Sequence, residues 1–309
     1  MSKIATREAY GKALVKLGKI NDDVVVLDAD LSKSTKTNDF LKAYPNRFFN
    51  MGIAEQNLVG AACGFAAAGK VPFASTFAMF ATGRAFEVIR NSVCYPKLNV
   101  KIAATHAGIT VGEDGGSHQS VEDISLMRSI PNMTVVVPAD GIEAEKMIFA
   151  AADFNGPMYI RLGRSAVPTI FEEDYKFEIG KGVVLRDGND VTIIACGIMV
   201  NEALIAADIL KEENINTRVI NMSTIKPIDT DLIIKAAKET KAIVTAEEHS
   251  IIGGLGSAVS EVVSESNPII VKKVGMNDCF GESGTPSELL EKYGLTAKSI
   301  VEKVKEALN

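Results

Sequence analysis

The chain has 309 residues, a length typical of two domains. Hydrophobic residues make up 47% of it and charged residues 23%, which is enough apolar material for large buried cores. The net charge of −6 argues against a basic face for nucleic acid. No apolar run reaches the roughly 18 residues of a membrane helix, and the first residues lack the apolar core of a secretory signal. The four cysteines lie far apart without a CxxC pair. We therefore expect a cytoplasmic protein that binds neither nucleic acid nor membrane.

Apolar runs rich in β-branched residues recur along the chain and predict strands. They occupy residues 24–27, 100–103, 134–137, 158–160, 191–195, 218–220, 242–245 and 269–271. Most are continuous rather than alternating, as is typical of strands covered on both faces. Segments with helical spacing alternate with them, at residues 7–17, 55–68, 85–93, 143–152, 200–210, 257–263 and 297–308. This alternation predicts an α/β protein with largely parallel sheets.

A polar and acidic stretch near residues 168–189 has no clear helical period, and a new strand begins after it at residue 191. Connections between domains tend to have this composition. We predict one domain over residues 1–170, a linker over 171–185 and a second domain over 186–309.

The first candidate for chemistry is Glu55, which follows the glycine of MGIAEQ and opens a helix of unusually small residues. Small side chains let two backbones approach closely, so we expect this helix to pack against another helix or subunit. A carboxylate in the first turn also interacts favourably with the helix dipole. Taken alone, this segment therefore favours a structural role for Glu55 over a chemical one.

The next segment, STFAMFATGRAFEVIR, carries an aromatic pattern. Phe77, Phe80 and Arg84 would share one face if the segment is helical throughout. Such a stripe is often part of a core, and it can also serve as a platform for a flat heterocycle.

A glycine-rich stretch, THAGITVGEDGGSHQ, follows the predicted strand at residues 100–103. We call residues 106–119 the glycine loop. It brings His106, Glu113, Asp114 and His118 together at the end of a strand, where α/β proteins gather ligand sites. A solvated polar loop is the alternative. The spacing of these residues matches no metal-binding motif, so we predict no metal site in this chain.

Three further polar residues lie near strand ends or helix starts. Arg7 lies in the first turn of the first helix, after Thr6 as a possible cap, and Ser34 and Arg164 follow predicted strands. Two guanidinium groups at such positions can converge on one phosphate, although each alone also suits a surface ion pair.

Taken in this order, the segments resemble transketolase, and specifically its C-terminal half. The resemblance covers essentially the whole chain and is carried by GIAEQ, STFAMF, GEDGGSHQ, IATREA and LGRS. It implies a thiamine-diphosphate-binding fold: a pyrimidine-binding domain with helices on both faces of a mostly parallel sheet, followed by a transketolase C-terminal α/β domain. Transketolases use thiamine diphosphate to move a two-carbon ketol unit from a ketose phosphate to an aldose.

The resemblance also implies roles for individual residues. Glu55 corresponds to the catalytic glutamate that hydrogen-bonds the aminopyrimidine of the cofactor, Phe80 to the ring that stacks on it, and Phe77 to the adjacent pocket wall. Asp30 corresponds to an aspartate near the cofactor. His118 would be catalytic and contact the donor sugar.

The same resemblance implies how the sugar is held. Asp114 would contact a hydroxyl of the sugar, and the terminal phosphate would bind the remaining substrate residues, His106, Arg7, Ser34 and Arg164.

Two features depart from the family pattern. Gly83 replaces a tyrosine that often lies one turn beyond the stacking phenylalanine. The family's diphosphate and metal site needs a Gly-Asp-Gly motif, which is absent from this sequence. The resemblance therefore implies a split enzyme in which an N-terminal transketolase subunit binds the diphosphate and Mg²⁺ (or Ca²⁺). We expect an α2β2 heterotetramer with the active site between the two kinds of chain.

Two related enzymes are alternatives. A 1-deoxy-D-xylulose-5-phosphate synthase shares GIAEQ, but its loop commonly has Asp-Arg at the positions of Thr105 and His106. The β subunit of a 2-oxo acid dehydrogenase has the same two-domain plan but does not need the sugar-phosphate residues. A non-catalytic regulatory subunit is a third alternative, which the presence of Glu55 and both loop histidines disfavours.

Overall fold

The computed structural model describes residues 3–309. Its strands in the first half of the chain are β1 (Lys3–Ala5), β2 (Val24–Asp28), β3 (Phe48–Asn50), β4 (Val71–Phe77), β5 (Lys101–Thr105), β6 (Thr134–Val136), β7 (Met158–Arg161) and β8 (Ala166–Pro168). The helices between them are α1 (Thr6–Ile20), α2 (Ser32–Thr35), α3 (Asn38–Ala43), α4 (Glu55–Ala67), α5 (Phe86–Val88), α6 (Asp123–Ser129) and α7 (Gly141–Asp153). Short 3₁₀ turns lie at Pro45–Arg47 and Ile109–Asp114, and π-helical turns at Phe80–Arg84 and Ile89–Cys94.

The second half of the chain continues the alternation of strands and helices. Its strands are β9 (Val183–Arg186), β10 (Val191–Ala195), β11 (Thr217–Asn221), β12 (Thr224–Lys226), β13 (Ala242–Ser250) and β14 (Ile270–Met276). Its helices are α8 (Met199–Glu212), α9 (Thr230–Glu239), α10 (Leu255–Ser266), α11 (Pro286–Lys292) and α12 (Ala297–Leu308).

A seven-stranded sheet forms the centre of the first half, in the order β12-β6-β7-β5-β4-β2-β3. All neighbours pair in parallel except β12, which is antiparallel to β6. Residues of β2, β5, β6 and β7 are buried along their whole length. Continuous burial explains why the sequence of these strands is apolar without alternation.

Helices cover both faces of this sheet. On one face, Tyr10 and Leu14 of α1 and Met147 of α7 pack with Val24 and Val26 of β2. On the other face, Leu58 and Ala62 of α4 pack with Val25 and Leu27, the alternate residues of the same strand. The predicted α/β class, with a mostly parallel sheet between two helical layers, is confirmed.

A second sheet, in the order β14-β13-β10-β11-β9, forms the centre of the second half. It is parallel except for β9, which pairs antiparallel with β11. Ile194 and Ile243 of this sheet belong to the same apolar cluster as Val25, Ile102 and Val135 of the first sheet. One continuous core therefore joins the two sheets.

The connection between the halves is partly structured. Strand β9, at Val183–Arg186, lies within the last residues of the predicted linker and already pairs with the second sheet. Strand β12 follows β11 in the chain but joins the edge of the first sheet. The domain boundaries at residues 170 and 186 stay predictions. Strand β9 begins before residue 186 and joins the second sheet, whereas β12 lies beyond residue 186 and joins the first sheet.

None of the helices in residues 3–309 is long and apolar enough to cross a membrane.

Candidate active site

The candidate residues gather where the carboxyl ends of the first sheet meet the start of α4. Phe77 is the last residue of β4, and His106 directly follows β5. Glu55 is the first residue of α4, and its side chain is 4% exposed. Neighbouring parallel strands end at the same edge of a sheet, so these side chains from distant parts of the chain face a common region.

Glu55 has a cationic partner. Arg84 Nη1 lies 3.3 Å from each carboxylate oxygen of Glu55, and the Arg84 guanidinium lies over the ring of Phe80, 4.3 Å from its centroid. Burying a carboxylate without a partner is costly, so Arg84 compensates the charge. The same guanidinium therefore covers both the carboxylate and the aromatic ring that the sequence assigns to one pocket.

The rings of Phe77 and Phe80 stack, with centroids 5.9 Å apart and planes 13° apart. They do not share a helical face as the spacing suggested. Phe77 ends β4, and the chain becomes helical only after it, with Phe80 at the start of the π-helical turn to Arg84. The strand-to-helix junction, rather than a helical repeat, brings the rings together. Such π-helical turns occur frequently at functional sites.

His106 lies at the base of this aromatic cluster. The His106 ring stacks on Phe77 at a centroid distance of 3.8 Å, and His106 as a whole is 3% exposed. Its Nε2 is 3.2 Å from Arg7 Nη1, and its Nδ1 is 2.8 Å from Thr105 Oγ1. Burial, together with the charges of Arg7 and Arg164, lowers the pKa of His106 to about 3. The ring is therefore neutral, with Nε2 accepting from Arg7 and Nδ1–H donating to Thr105.

Arg7 carries an unused donor. Its Nη1 also donates to the carbonyl of Ser34 at 2.8 Å, whereas its buried Nε has no hydrogen-bond partner among residues 3–309. Burial and the nearby charge of Arg164 lower the pKa of Arg7. Two guanidinium groups that repel each other beside a free N–H donor are well suited to an anion.

Arg164 is held by the glycine loop. Its Nη1 donates to Glu113 Oε2 at 2.8 Å and to the carbonyl of Val111. The predicted cap at Thr6 is wrong: Thr6 is already helical, and its Oγ1 accepts from the N–H of Gly163 at 2.8 Å. This bond ties the start of α1, which carries Arg7, to the segment that carries Arg164.

Three glycines of the glycine loop have backbone conformations that favour glycine: Gly108, Gly112 and Gly115 have φ angles of 81°, 84° and 75°. Asp114, just before Gly115, is exposed. The rings of His118 and Phe80 meet edge to face, 5.3 Å between centroids. The amide nitrogen of Gln119 donates to the carbonyls of Ile109 and Gly112 within the loop. It also donates to the carbonyl of Glu282 in the second half of the chain.

Asp30 is not joined to the other candidates. It is exposed, has a φ angle of 63°, and accepts a hydrogen bond from Asn50 at 2.8 Å. No hydrogen bond or ring contact links it to Glu55, Phe77 or Phe80 within the described part of the chain.

A groove of about 410 Å³ opens beside the aromatic cluster. It is lined by Met79, Phe80, Gly83, Arg84, Gly116, Ser117, Gln119, Glu122 and Phe280. Gly83 adds no side chain to this groove, and the exposed ring of Phe280 from the second half of the chain forms part of its wall.

No cluster of three or more His, Cys, Asp or Glu side chains in residues 3–309 has the arrangement of a metal site.

Sequence reasoning missed two kinds of contact. The spacing of Arg84 predicts its helical face but not its pairing with Glu55, since nothing in the sequence pairs two residues from different elements. Gln119 is not among the predicted site residues, although it ends the GEDGGSHQ segment of the glycine loop. Its place in that motif is the only feature of the sequence that indicates its role.

Comparison with known proteins shows which family has this arrangement of domains. Residues 2–169 match the family model described as the transketolase pyrimidine binding domain, and residues 180–300 match the transketolase C-terminal domain. The chain belongs to the transketolase family. A protein of Methanocaldococcus jannaschii named as a transketolase C-terminal section is 54% identical over 98% of this chain and 96% of its own length.

Other transketolases show which part of the family the chain represents. A 6-deoxy-6-sulfo-D-fructose transketolase subunit from a Clostridium strain is 44% identical over 92% of its length. The human transketolase is 42% identical, and the match covers 98% of this chain but 49% of that protein. A solved split-gene transketolase, described as an inactive β4 tetramer, superposes with a TM-score of 0.92 at 61% identity and 99% coverage of both chains.

These matches confirm the resemblance read from the sequence. The chain corresponds to the C-terminal half of transketolase: it matches the C-terminal section and the split-gene chain over nearly their whole lengths, and about half of the human protein. They do not favour the two alternative enzymes, the deoxyxylulose phosphate synthase and the 2-oxo acid dehydrogenase subunit. Transketolases use thiamine diphosphate, as the name of the pyrimidine binding domain reflects.

Proposed function

We propose that this chain, paired with a second subunit, transfers a two-carbon ketol unit from a ketose phosphate to an aldose or aldose phosphate. The observation that carries this proposal is the contact between two chemically different clusters. Arg84 bonds the buried carboxylate of Glu55 and covers the ring of Phe80, Phe80 stacks on Phe77, and Phe77 stacks in turn on His106. A site for a flat heterocycle and a site for an anion thus adjoin.

The residues present fit the aminopyrimidine part of thiamine diphosphate. In this structure the planar, hydrogen-bonding guanidinium of Arg84 rests on Phe80 and on both oxygens of Glu55. A flat ring with a nitrogen would find the same two partners. Glu55 would hold a hydrogen bond at the ring nitrogen, and Phe80 would stack on the ring with Phe77 behind it. When bound, the cofactor supplies the electron sink for breaking a carbon–carbon bond.

The chain's other residues would bind and orient the sugar. Arg7 Nε, buried without a partner, and Arg164 would hold the terminal phosphate together with His106 and Ser34. Neutral His106 accepts from Arg7 and so fixes the direction of its guanidinium. Asp114 is exposed and would contact a sugar hydroxyl, and His118, beside Phe80, would contact the donor near the reacting bond. Positioning of this kind lowers the barrier by reducing the entropy lost on reaction.

A partner subunit completes the proposal. The absence of Gly-Asp-Gly in this sequence supports a second chain that binds the diphosphate with Mg²⁺ or Ca²⁺. The exposed face of α4 supports a protein contact there, since a Cβ on Gly60 or Gly64 would meet open space. We propose an α2β2 assembly in the cytoplasm, and we assign Asp30 to the cofactor region on the resemblance alone.

The experiment is reconstitution. This chain is purified alone and together with an N-terminal transketolase subunit, and ketol transfer is measured with thiamine diphosphate and Mg²⁺. Activity of the pair with a ketose phosphate and an aldose phosphate, none with pyruvate as donor, and none from either chain alone is the expected result. Turnover by this chain alone, or a pair that uses pyruvate in place of the ketose phosphate, would contradict the proposal.

A second donor deserves the same assay. The Clostridium relative is named for a sulfonated ketose. A sulfonate and a phosphate are both anions that a cluster of two arginines can bind, so the phosphate donor should be compared with 6-deoxy-6-sulfofructose. We expect a higher kcat/KM for the phosphate donor, because its second charge interacts with both Arg7 and Arg164.

A further inference from the structure

We propose that Glu248 is a positioning residue that fixes the glycine loop, and through it His106 and Asp114, for substrate binding. The proposal rests on the function proposed above for what the loop binds. Glu248 belongs to β13 in the C-terminal half, to which the sequence assigned no part in the active site.

The loop backbone lies directly against the Glu248 carboxylate. Glu248 is buried, and its Oε1 accepts a hydrogen bond from the backbone N–H of Thr110 at 2.7 Å. A Cβ added to Gly108 would stand 2.2 Å from the Glu248 carboxyl carbon, and Gly108 has a φ angle of 81°. Only a glycine permits this approach, so the loop is shaped around the carboxylate.

Glu248 is itself anchored to the strand that leads to Arg164. Its carbonyl accepts from Arg161 Nη2 at 2.8 Å, and Arg161 Nε donates to Asp123 at 2.7 Å. Arg161 and Asp123 are both buried. Since Arg161 ends β7 and Arg164 follows three residues later, one network links the two segments that carry the phosphate-binding residues.

Removing the carboxylate would leave the buried Thr110 N–H without its protein acceptor, a costly state that favours displacement of the loop. Displacement of the loop would affect His106 and Asp114 first. No hydrogen bond or ion pair within residues 3–309 joins Glu248 to Glu55 or Phe80, so the activation of the cofactor should be less affected. The expected signature is a raised KM for phosphorylated substrates with a smaller change in kcat.

The adjacent residue provides a matched control. Glu247 is equally buried on the same strand, but its carboxylate accepts from the N–H groups of Leu255 and Gly256, at 2.7 and 2.8 Å, at the start of α10. Glu247→Ala removes a buried carboxylate from the C-terminal half without touching the glycine loop. It separates loss of stability from loss of positioning.

The kinetic test uses the reconstituted enzyme. Glu248→Ala is expected to raise KM for the phosphorylated acceptor about tenfold or more, consistent with the loss of a charge-assisted hydrogen bond. Glu248→Gln keeps an acceptor oxygen and should restore KM to within about threefold of wild type. Glu247→Ala should lower the melting temperature and leave KM unchanged. Equal KM effects from the two alanine variants, or none from Glu248→Ala, would overturn the proposal.

A second measurement does not depend on activity. Hydrogen–deuterium exchange by mass spectrometry, on this chain with its partner, should show faster exchange of the peptide spanning residues 106–119 in Glu248→Gln and faster still in Glu248→Ala. Glu247→Ala should instead accelerate the start of α10. If wild type shows no ketol transfer, the proposed function fails, whereas unchanged exchange of residues 106–119 in both Glu248 variants refutes the positioning role.

Discussion

Glu55 depends on its surroundings more than any other residue of the site. It is the first residue of a helix, nearly fully buried, and paired with a half-exposed arginine that itself covers the ring of Phe80. A carboxylate in such a place can hold a hydrogen bond in a water-poor pocket, where it is stronger than in solvent.

We therefore expect Glu55→Gln to reduce kcat of the reconstituted enzyme by roughly 10²–10⁴-fold, because an amide cannot exchange a proton with the cofactor ring. The melting temperature should stay close to wild type, since the substitution conserves volume. Glu145→Gln is the control: this residue pairs with Lys16 on the surface of α7 and should leave kcat unchanged. Near-normal turnover in Glu55→Gln would rule out the assignment.

His106 should remain neutral across the physiological range. Burial and the neighbouring cations lower its pKa to about 3, so the ¹³Cε1–¹H signal of a histidine-labelled sample should not titrate between pH 5 and 8. The chain has three histidines, and His106→Gln identifies the signal. A midpoint near pH 6.5 would contradict the interaction with Arg7 described here. The unfolded residue titrates near pH 6.5. Below that pH the unfolded chain binds a proton at His106 that the folded chain does not, so the free energy of unfolding falls as the pH falls.

Single site residues could be predicted where they lie in a sequence motif. They could not be predicted where only the fold brings two distant residues together. Glu55, Phe80 and His106 each lie in a short, recognisable segment, and the structure brings them together. The Arg84–Glu55 pair and the Glu248–Thr110 bond join residues 29 and 138 positions apart. Without the fold, neither partner indicates the other.

Among the elements, long buried strands and amphipathic helices were predictable to within a few residues. The strand at residues 191–195 and the helix at 297–308 have the bounds that the apolar pattern predicts. Strands β1, β3, β4, β8, β9 and β12 were missed. Strands β1, β3, β8 and β12 have three residues each, too few for a period to emerge, and β1 and β12 exist because distant strands offer them an edge. Strand β9 lies in the stretch predicted as a linker, and β4 overlaps the segment whose aromatic spacing suggested a helix.

Strand β5 contains a feature that its apolar pattern hides. The Lys101 ammonium group is buried and donates to the carbonyls of Phe154 and Gly156, at 2.6 and 2.9 Å. Burial lowers the pKa of Lys101 to about 7. Two hydrogen bonds from this buried amino group thus hold residues 154–156, which follow α7, against the strand.

This pKa predicts a pH dependence. Between pH 7 and about 10 the unfolded chain binds a proton at Lys101 that the folded chain has lost, so this residue's contribution to stability rises with pH, by roughly 4 kcal/mol at most. Lys101→Met should lack this rise. Urea midpoints of the two proteins, measured at pH 7 and pH 9.5 and at one protein concentration, provide the comparison. Parallel curves would show that Lys101 titrates normally.

At the scale of the whole molecule, the two halves share one apolar cluster. The cluster that contains Val25 and Val135 also contains Ile194, Ile243 and Val259 from the second half. Glu143 of α7 reinforces the junction, accepting from Tyr175 in the connection and from Asn221 of β11.

We therefore expect a fragment of residues 1–178 to lack a cooperative thermal transition, although it contains a whole family-model domain. It would expose the apolar surface that β10, β13 and α10 cover, and leave β6 as an open edge. Circular dichroism melts of the fragment and of the full chain would test this. A sharp melt of the fragment would show that its core is independent.

The position of β12 has a consequence for biosynthesis. Its last residue, Lys226, is made 65 residues after Arg161, the end of the last of the first sheet's other strands, which takes about 3–13 s at ordinary elongation rates. Throughout that delay the nascent sheet has an unpaired margin at β6, to which other nascent strands can attach. Overexpression should therefore benefit from added chaperones or from faster translation of the segment before β12, and codon choice between residues 170 and 226 becomes a practical variable for producing this protein.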